Sequence, residues 1–300
     1  MTYRIRPGEI VEAAVRRIGV EQIDAALGEL VDPRLDRHDT VHQVRKRCKK
    51  LRGLLRLVRP ELGKTYAAEN AWYRDAARAL SSTRDAVSII EALDQLVRSR
   101  SELKHEHCET VRAALVARRQ RLADEQTDLD ERLAQFAARL RDGRGRIEQW
   151  AIASTGYAAV AGGLAQTYRR GRKAMKAACA DRTPENFHEW RKRSKDGWYH
   201  HRLLRDVWRP EMNVRRTQFA ELGELLGDDH DLVLLKQTLA ADPPQFGGEE
   251  HVEPLFDAID DRRRQLEKRA CTLGRRLYAE TPRAFRKRIG RYWRASKLAK

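Results

Sequence analysis

One segment of this chain occurs twice. VHQVRKRCKKLRGLLRLVRPEL, from Val41, returns in outline as FHEWRKRSKDGWYHHRLLRDVWRPEM from Phe187, an offset of 146 residues. At that offset His42 matches His188, Arg45 matches Arg191, Lys46 matches Lys192, Arg47 matches Arg193 and Lys49 matches Lys195. Arg56 and Arg59 likewise match Arg202 and Arg205, and LSSTRDAV from Leu80 meets LGDDHDLV from Leu226, which pairs Asp85 with Asp231. The chain therefore reads as two copies of one unit, approximately residues 1–145 and 146–300.

That unit is helical. Apolar residues recur at three- and four-residue spacing, while alternating β-branched runs and Asn-Gly hairpin turns are absent. Asp32-Pro33, Arg59-Pro60, Gly143 to Gly145, Thr183-Pro184, Arg209-Pro210, Pro243-Pro244 and Gly247-Gly248 punctuate the periodic stretches. Thr183, followed by Pro184 and Glu185, reads as an N-cap with proline at the first helical position. The expected fold is all-α, with two helical bundles of about four main helices each.

Turning ~100° per residue from His42 places Arg45, Lys46, Lys49 and Arg56 in one arc of the helix. Val41, Val44, Cys48, Leu51, Leu54, Leu55 and Val58 fall opposite, on the face that a bundle buries. The second copy sets His188, Arg191, Lys192, Lys195 and Arg202 against Phe187, Trp190 and Leu204, and its acids Glu189 and Asp196 project outside the stripe. Solvated helix faces mix signs, because like charges at four-residue spacing subtract stability. An acid-free stripe, repeated, calls for a ligand that brings the negative charge. The whole chain agrees, with 61 Lys+Arg against 44 Asp+Glu and a formal charge of +17. Arg offers a planar fork to phosphate oxygens, Lys a mobile point charge and His a donor that charges at low pH, a set suited to a long phosphate chain. Two stripes turned away from their own cores are expected to line a cleft or channel between the halves.

At these residues the sequence resembles the CHAD family, the conserved histidine α-helical domain. The resemblance rests on H-x-x-R-x-x-x-K at His42, Arg45, Lys49 and again at His188, Arg191, Lys195, with the Arg-Asp turn Thr83-Arg84-Asp85-Ala86-Val87, and it spans nearly the whole chain as a single domain. It implies two bundles about a pseudo-twofold axis, a basic central pore, and binding of inorganic polyphosphate without hydrolysis. By carry-over, His42, Arg45, Lys46, Lys49, Lys50, Arg52, Arg56 and Arg84 bind in the first half. His188, Arg191, Lys192, Lys195, Tyr199 and Arg202 do so in the second, with Asp85 and Asp231 orienting neighbouring basic side chains or capping a helix. The chain departs from the family pattern at Trp198-Tyr199, where Arg-Tyr is frequent, and at His230-Asp231, where the turn has Arg-Asp. A weaker second half, or a packed Trp198 with His230 keeping part of the role, follows.

Other readings rank lower. Nucleic acid is the second partner the charge allows, but aromatic residues are 7 % of the chain, and Phe187 and Trp190 lie on the core side. His38-Asp39 and His230-Asp231 spell the dipeptide of metal-dependent phosphohydrolases without further ligands at recognisable spacing. His105, His107 and Cys108 diverge around a helix, His201 falls on an apolar side, and no nucleophile–base pair or phosphate-cradling glycine loop stands out, so no catalysis, metal or cofactor is expected. Cys48, Cys108, Cys179 and Cys271 lie far apart and are expected to be reduced. The first residues form no long apolar run, no stretch approaches a membrane span, and the expected location is cytoplasmic, in reach of polyphosphate granules. The charged stretch from Arg98 to Arg141 reads as a solvated helix pair. The tail, with Phe285, Tyr292 and Trp293 on one face, reads as docked on the bundle.

Overall fold

The computed structural model describes residues 3–80, 84–100, 102–124 and 128–298, except for the side chains of His38, Arg84, Asp85, Lys297 and Leu298. Twelve α-helices follow one another, with no strand among the described residues. They are α1 (Val11–Leu30), α2 (Arg37–Leu57), α3 (Arg59–Leu62), α4 (Thr65–Arg78), α5 (Arg84–Arg98), α6 (His105–Asp124), α7 (Leu129–Glu148), α8 (Ala158–Ala180), α9 (Pro184–Leu203), α10 (Arg209–Ala241), α11 (Glu249–Leu277) and α12 (Pro282–Leu298). The expectation of about four main helices per half undercounts them. Seven precede residue 149, because polar connections without a Pro or Gly signal also end helices there, as between α5 and α6.

Local chemistry sets the boundaries. Thr183 caps α9 by accepting from the Asn186 amide at 3.3 Å, with Pro184 in the first turn. Asp36 does the same for α2, accepting from the Asp39 amide at 2.7 Å. The apolar face of α2 is buried throughout, from Val44 through Cys48, Leu51, Leu54 and Leu55 to Val58, and so are Phe187 and Trp190 of α9.

Packing is continuous. α9 lies between α8 and α10, α10 also packs on α5 and α11, and α2 meets α1, α4, α8 and α9. Where α2 crosses α9, Gly53 lets the backbones close up. A Cβ there would meet Tyr199 Cβ and Cγ at 2.9 Å, and the His200 ring reaches the Gly53 carbonyl at 3.1 Å. The tail docks as expected: α12 packs on α8, with Phe285 stacked on Tyr168 at 4.2 Å between centroids.

Two expectations are corrected here. Cys179 and Cys271 form a disulfide that ties α8 to α11 across 92 residues of sequence, while Cys48 and Cys108 are free and buried. The charged stretch does not fold chiefly on itself: α6 packs on α5 and α11, and α7 on α1. Each helix buries a narrow stripe, Cys108, Val111 and Leu115 in one and Phe136, Leu140 and Ile147 in the other.

Candidate functional site

On α2, His42, Arg45, Lys49, Arg52 and Arg56 are partly buried and Lys46 is exposed. Arg45 donates to the Leu80 carbonyl at 3.1 Å, so this side chain is aimed at the end of α4 rather than loose in water. Arg52 donates to Asn70 Oδ1 at 3.2 Å, and burial, with Arg56 beside it, pushes its guanidinium down to about 10. Lys50 is only 6 % exposed. It sits in the helix crossing, and burial, then Arg47, Arg202 and Lys46, push its ammonium down to about 8.

On α9 the basic face meets α10. His188 Nδ1 stands 3.2 Å from His230 Nδ1, a hydrogen bond when one ring donates and the other accepts. Burial lowers both imidazoles, Arg191 pushing further on His230 and Lys192 and Arg191 on His188, so that His230 lies at about 4. The Arg191 guanidinium lies over Gly227, where a Cβ would stand 3.7 Å from its Nε and Nη2. Lys192 is exposed and Lys195 partly buried. Asp231 lines a small cleft with Ser88, Glu91, Asp228 and Arg262, between α5, α10 and α11. The side chains of Arg84, Asp85 and His38 lie outside the described residues.

The stripes are less free of acid than helical projection indicates. Glu189 reaches Lys192 at 2.7 Å and Arg193 at 2.5 Å, and Asp196 binds Arg56 of α2 at 2.9 Å. Projection along one helix places Glu189 and Asp196 outside the stripe, but long cationic side chains lean across the boundary, and the facing helix supplies its own. Cations still dominate. Around Asp196 stand Arg56 and, at 3.7 Å, Arg193, with Arg52 and Arg170 acting on it from further off. Burial raises the Asp196 carboxyl and these arginines oppose the rise.

Tyr199 is buried in the crossing, not exposed along a groove. Arg202 lies over the Trp198 ring at 5.2 Å and the Tyr3 ring at 5.9 Å, so Trp198 packs and carries a cation on its face. Arg170 of α8 joins the cationic surroundings of Arg59 and Arg193. The run RRGRK that contains it is visible in sequence, but it has no counterpart in the first copy and is not singled out there.

Among the described residues no group of three or more His, Cys, Asp or Glu side chains is placed to hold a metal ion, and no helix is long and apolar enough to cross a membrane. The His107 ring packs against the His251 ring, tilted by 39° with centroids 4.4 Å apart.

Compared with known families, the chain matches the family model described as CHAD domain over residues 18–240. No curated protein matches it.

Proposed function

The chain belongs to the CHAD domain family, and on that premise we propose that it binds inorganic polyphosphate through the basic faces of α2 and α9, without cleaving it. The observation that carries this reading is mutual opposition among the cations. Lys50 and Arg52, both charged at neutral pH, are pushed down by burial and then by neighbouring Arg, and burial with the same kind of neighbours keeps His188 and His230 from charging. A protein that gathers like charges into partly buried positions stores repulsion that a polyanion relieves on binding. Long-chain polyphosphate fits because it is flexible, carries charge at every unit and asks for no base readout.

The proposal includes two duplicated halves, about residues 1–145 and 146–300, related by a pseudo-twofold axis with a basic pore between them. In its support, α2 and α9 cross at Gly53 and Tyr199, positions that are equivalent under the 146-residue offset. Asp85 and Asp231 keep their proposed role as orienting carboxylates. A cytoplasmic location beside polyphosphate granules belongs to the same proposal.

The test is a titration of the whole chain with long-chain polyphosphate, tripolyphosphate, single-stranded DNA and RNA at matched phosphate and ~150 mM salt. Long-chain polyphosphate is expected to bind best and to be recovered at its original length. Nucleic acid binding equally well, or shortened polyphosphate, overturns the reading.

A further inference from the structure

The Cys179–Cys271 disulfide closes a loop across 92 residues of sequence that contains the whole of α9 and α10, and with them His188, Arg191, Lys195 and His230. The first copy has no such tie. Under the 146-residue offset Cys179 falls on Pro33 and Cys271 on Glu125, so the bond constrains one basic face and leaves the other alone.

Cys271 stands between two contacts that hold the His188 end of α9. One turn before it on α11, the buried Glu267 carboxylate pairs with Arg182, in the short link between α8 and α9, at 3.8 Å and with Arg263 at 3.2 Å. Arg263 donates in turn at 2.9 Å to the buried Asp229, which precedes His230, the partner of His188. Just under one turn after Cys271, Gly274 lies against Trp190 of α9 and Met175 of α8, where a Cβ would overlap the indole ring and stand 3.2 Å from Met175 Cγ. Positions 267, 271 and 274 share one face of a helix, so the covalent bond, the ion pairs and the close contact lie along a single seam. That seam seats α11 against the stretch of α9 that carries His188 and Arg191.

The bond is open to exchange. Cys271 is buried but Cys179, near the end of α8, is only partly so, which leaves one sulfur for a thiolate to attack. Cys48 and Cys108 are both buried, on α2 and α6, so the pair has no ready competitor within the chain. In the cytoplasmic setting proposed above thiols are kept reduced, and a disulfide there is as a rule a sensing one.

We propose that Cys179 and Cys271 form a redox site that sets the strength of the second basic face, reduced by a small dithiol. One thiolate of the dithiol attacks Cys179 Sγ, the Sγ–Sγ bond breaks, and Cys271 leaves as a thiolate that takes up a proton. The second thiol of the reductant then attacks the mixed disulfide and releases Cys179 as a thiol. Two electrons and two protons pass to the protein, and the reductant ends as a disulfide. Oxidised, the seam is locked and α9 holds His188 and Arg191 in fixed register with α10. Reduced, the seam opens locally, because noncovalent contacts alone then keep α11 on the start of α9. The coupling rests on the polyanion reading for its ligand, but the opening itself does not.

The whole chain is compared oxidised, reduced with dithiothreitol under native conditions, and reoxidised, beside the double variant Cys179→Ser with Cys271→Ser. Reduction of the native protein is expected to add two thiols by mass after alkylation. Thiols that appear only in denaturant would overturn the site. Amide hydrogen exchange over residues 186–193 is expected to be about tenfold faster or more in the reduced chain and in the double variant, and to recover on reoxidation, with helical circular dichroism retained. Unchanged exchange, or wholesale loss of helix, would overturn the site whatever the ligand. For long-chain polyphosphate at ~150 mM salt, reduction is expected to weaken binding about tenfold. The loss is expected to persist in His42→Ala with Arg45→Ala and to vanish in His188→Ala with Arg191→Ala, since a face already removed cannot be loosened, whereas a general staple would weaken both alike. If long-chain polyphosphate binds the oxidised and reduced parent equally, the coupling is overturned and the polyanion reading stands. If neither form binds it while exchange over 186–193 still follows the thiol state, the polyanion reading falls and the redox site stands.

Discussion

At the scale of the residue, α9 buries two histidines that titrate far from their ordinary value, His200 against Gly53 of α2 and His201 against Phe219 and Phe285 of α10 and α12. His201 donates from Nδ1 to the Gly197 carbonyl at 2.8 Å, and the His200 ring pairs through Nε2 with the Gly53 carbonyl at 3.1 Å. Burial holds His200 at about 3 and His201 at about 4, against 6.5 for an open imidazole. Between those values and 6.5 the unfolded chain takes up a proton that the folded chain refuses. Their contribution is therefore whole above pH 6.5 and is lost as pH falls towards 4. The urea midpoint is expected to fall between pH 7 and pH 4.5. His201→Phe, whose ring keeps the packing on Phe219, is expected to lose about 1 kcal/mol at pH 7 with the hydrogen bond, and to show a shallower fall. Equal slopes for the two proteins would contradict the assignment. That His201 is a core residue was legible from its place on the apolar side of a helix. The depth of its burial was not, because it comes from Phe219 and Phe285, which lie on other helices.

At the scale of the element, helix contacts in this fold are set by where two backbones touch. Gly163 of α8 faces the carbonyls of Arg56 and Leu57 at the end of α2, and a Cβ there would overlap both. Gly145 of α7 has nothing within 4 Å of that position. Gly163→Ala is expected to cost about 2 kcal/mol or more, since backbone carbonyls inside a helix cannot swing aside. Gly145→Ala is expected to gain about 0.5–1 kcal/mol by helix propensity alone. Thermal unfolding of the two variants checks both signs, and equal effects would show that the α2–α8 contact is not tight. The helices themselves were largely legible: the Thr183-Pro184 start of α9 and the buried face of α2 follow from local chemistry. Which helix meets which was not, and α6 and α7 read as partners of each other because sequence records their stripes but not the surfaces that cover them.

At the scale of the whole molecule, 61 cationic residues against 44 acidic ones give a field that favours any polyanion, so the arrangement of charge must supply the selectivity. The duplicated stripe was legible because a repeat is a property of sequence alone. Its compensation by Asp196, 140 residues from Arg56, and the Cys179–Cys271 disulfide were not, since helical projection fixes angles within one helix and says nothing of what stands opposite. The account rests on both faces acting on one ligand. Its most direct test is the affinity for long-chain polyphosphate at ~150 mM salt of His42→Ala with Arg45→Ala, of His188→Ala with Arg191→Ala, and of all four together. Each double variant is expected to bind about tenfold more weakly, and the fourfold variant more weakly than either. One double variant matching the fourfold variant while the other binds as the parent does would confine the ligand to a single helix and contradict the account.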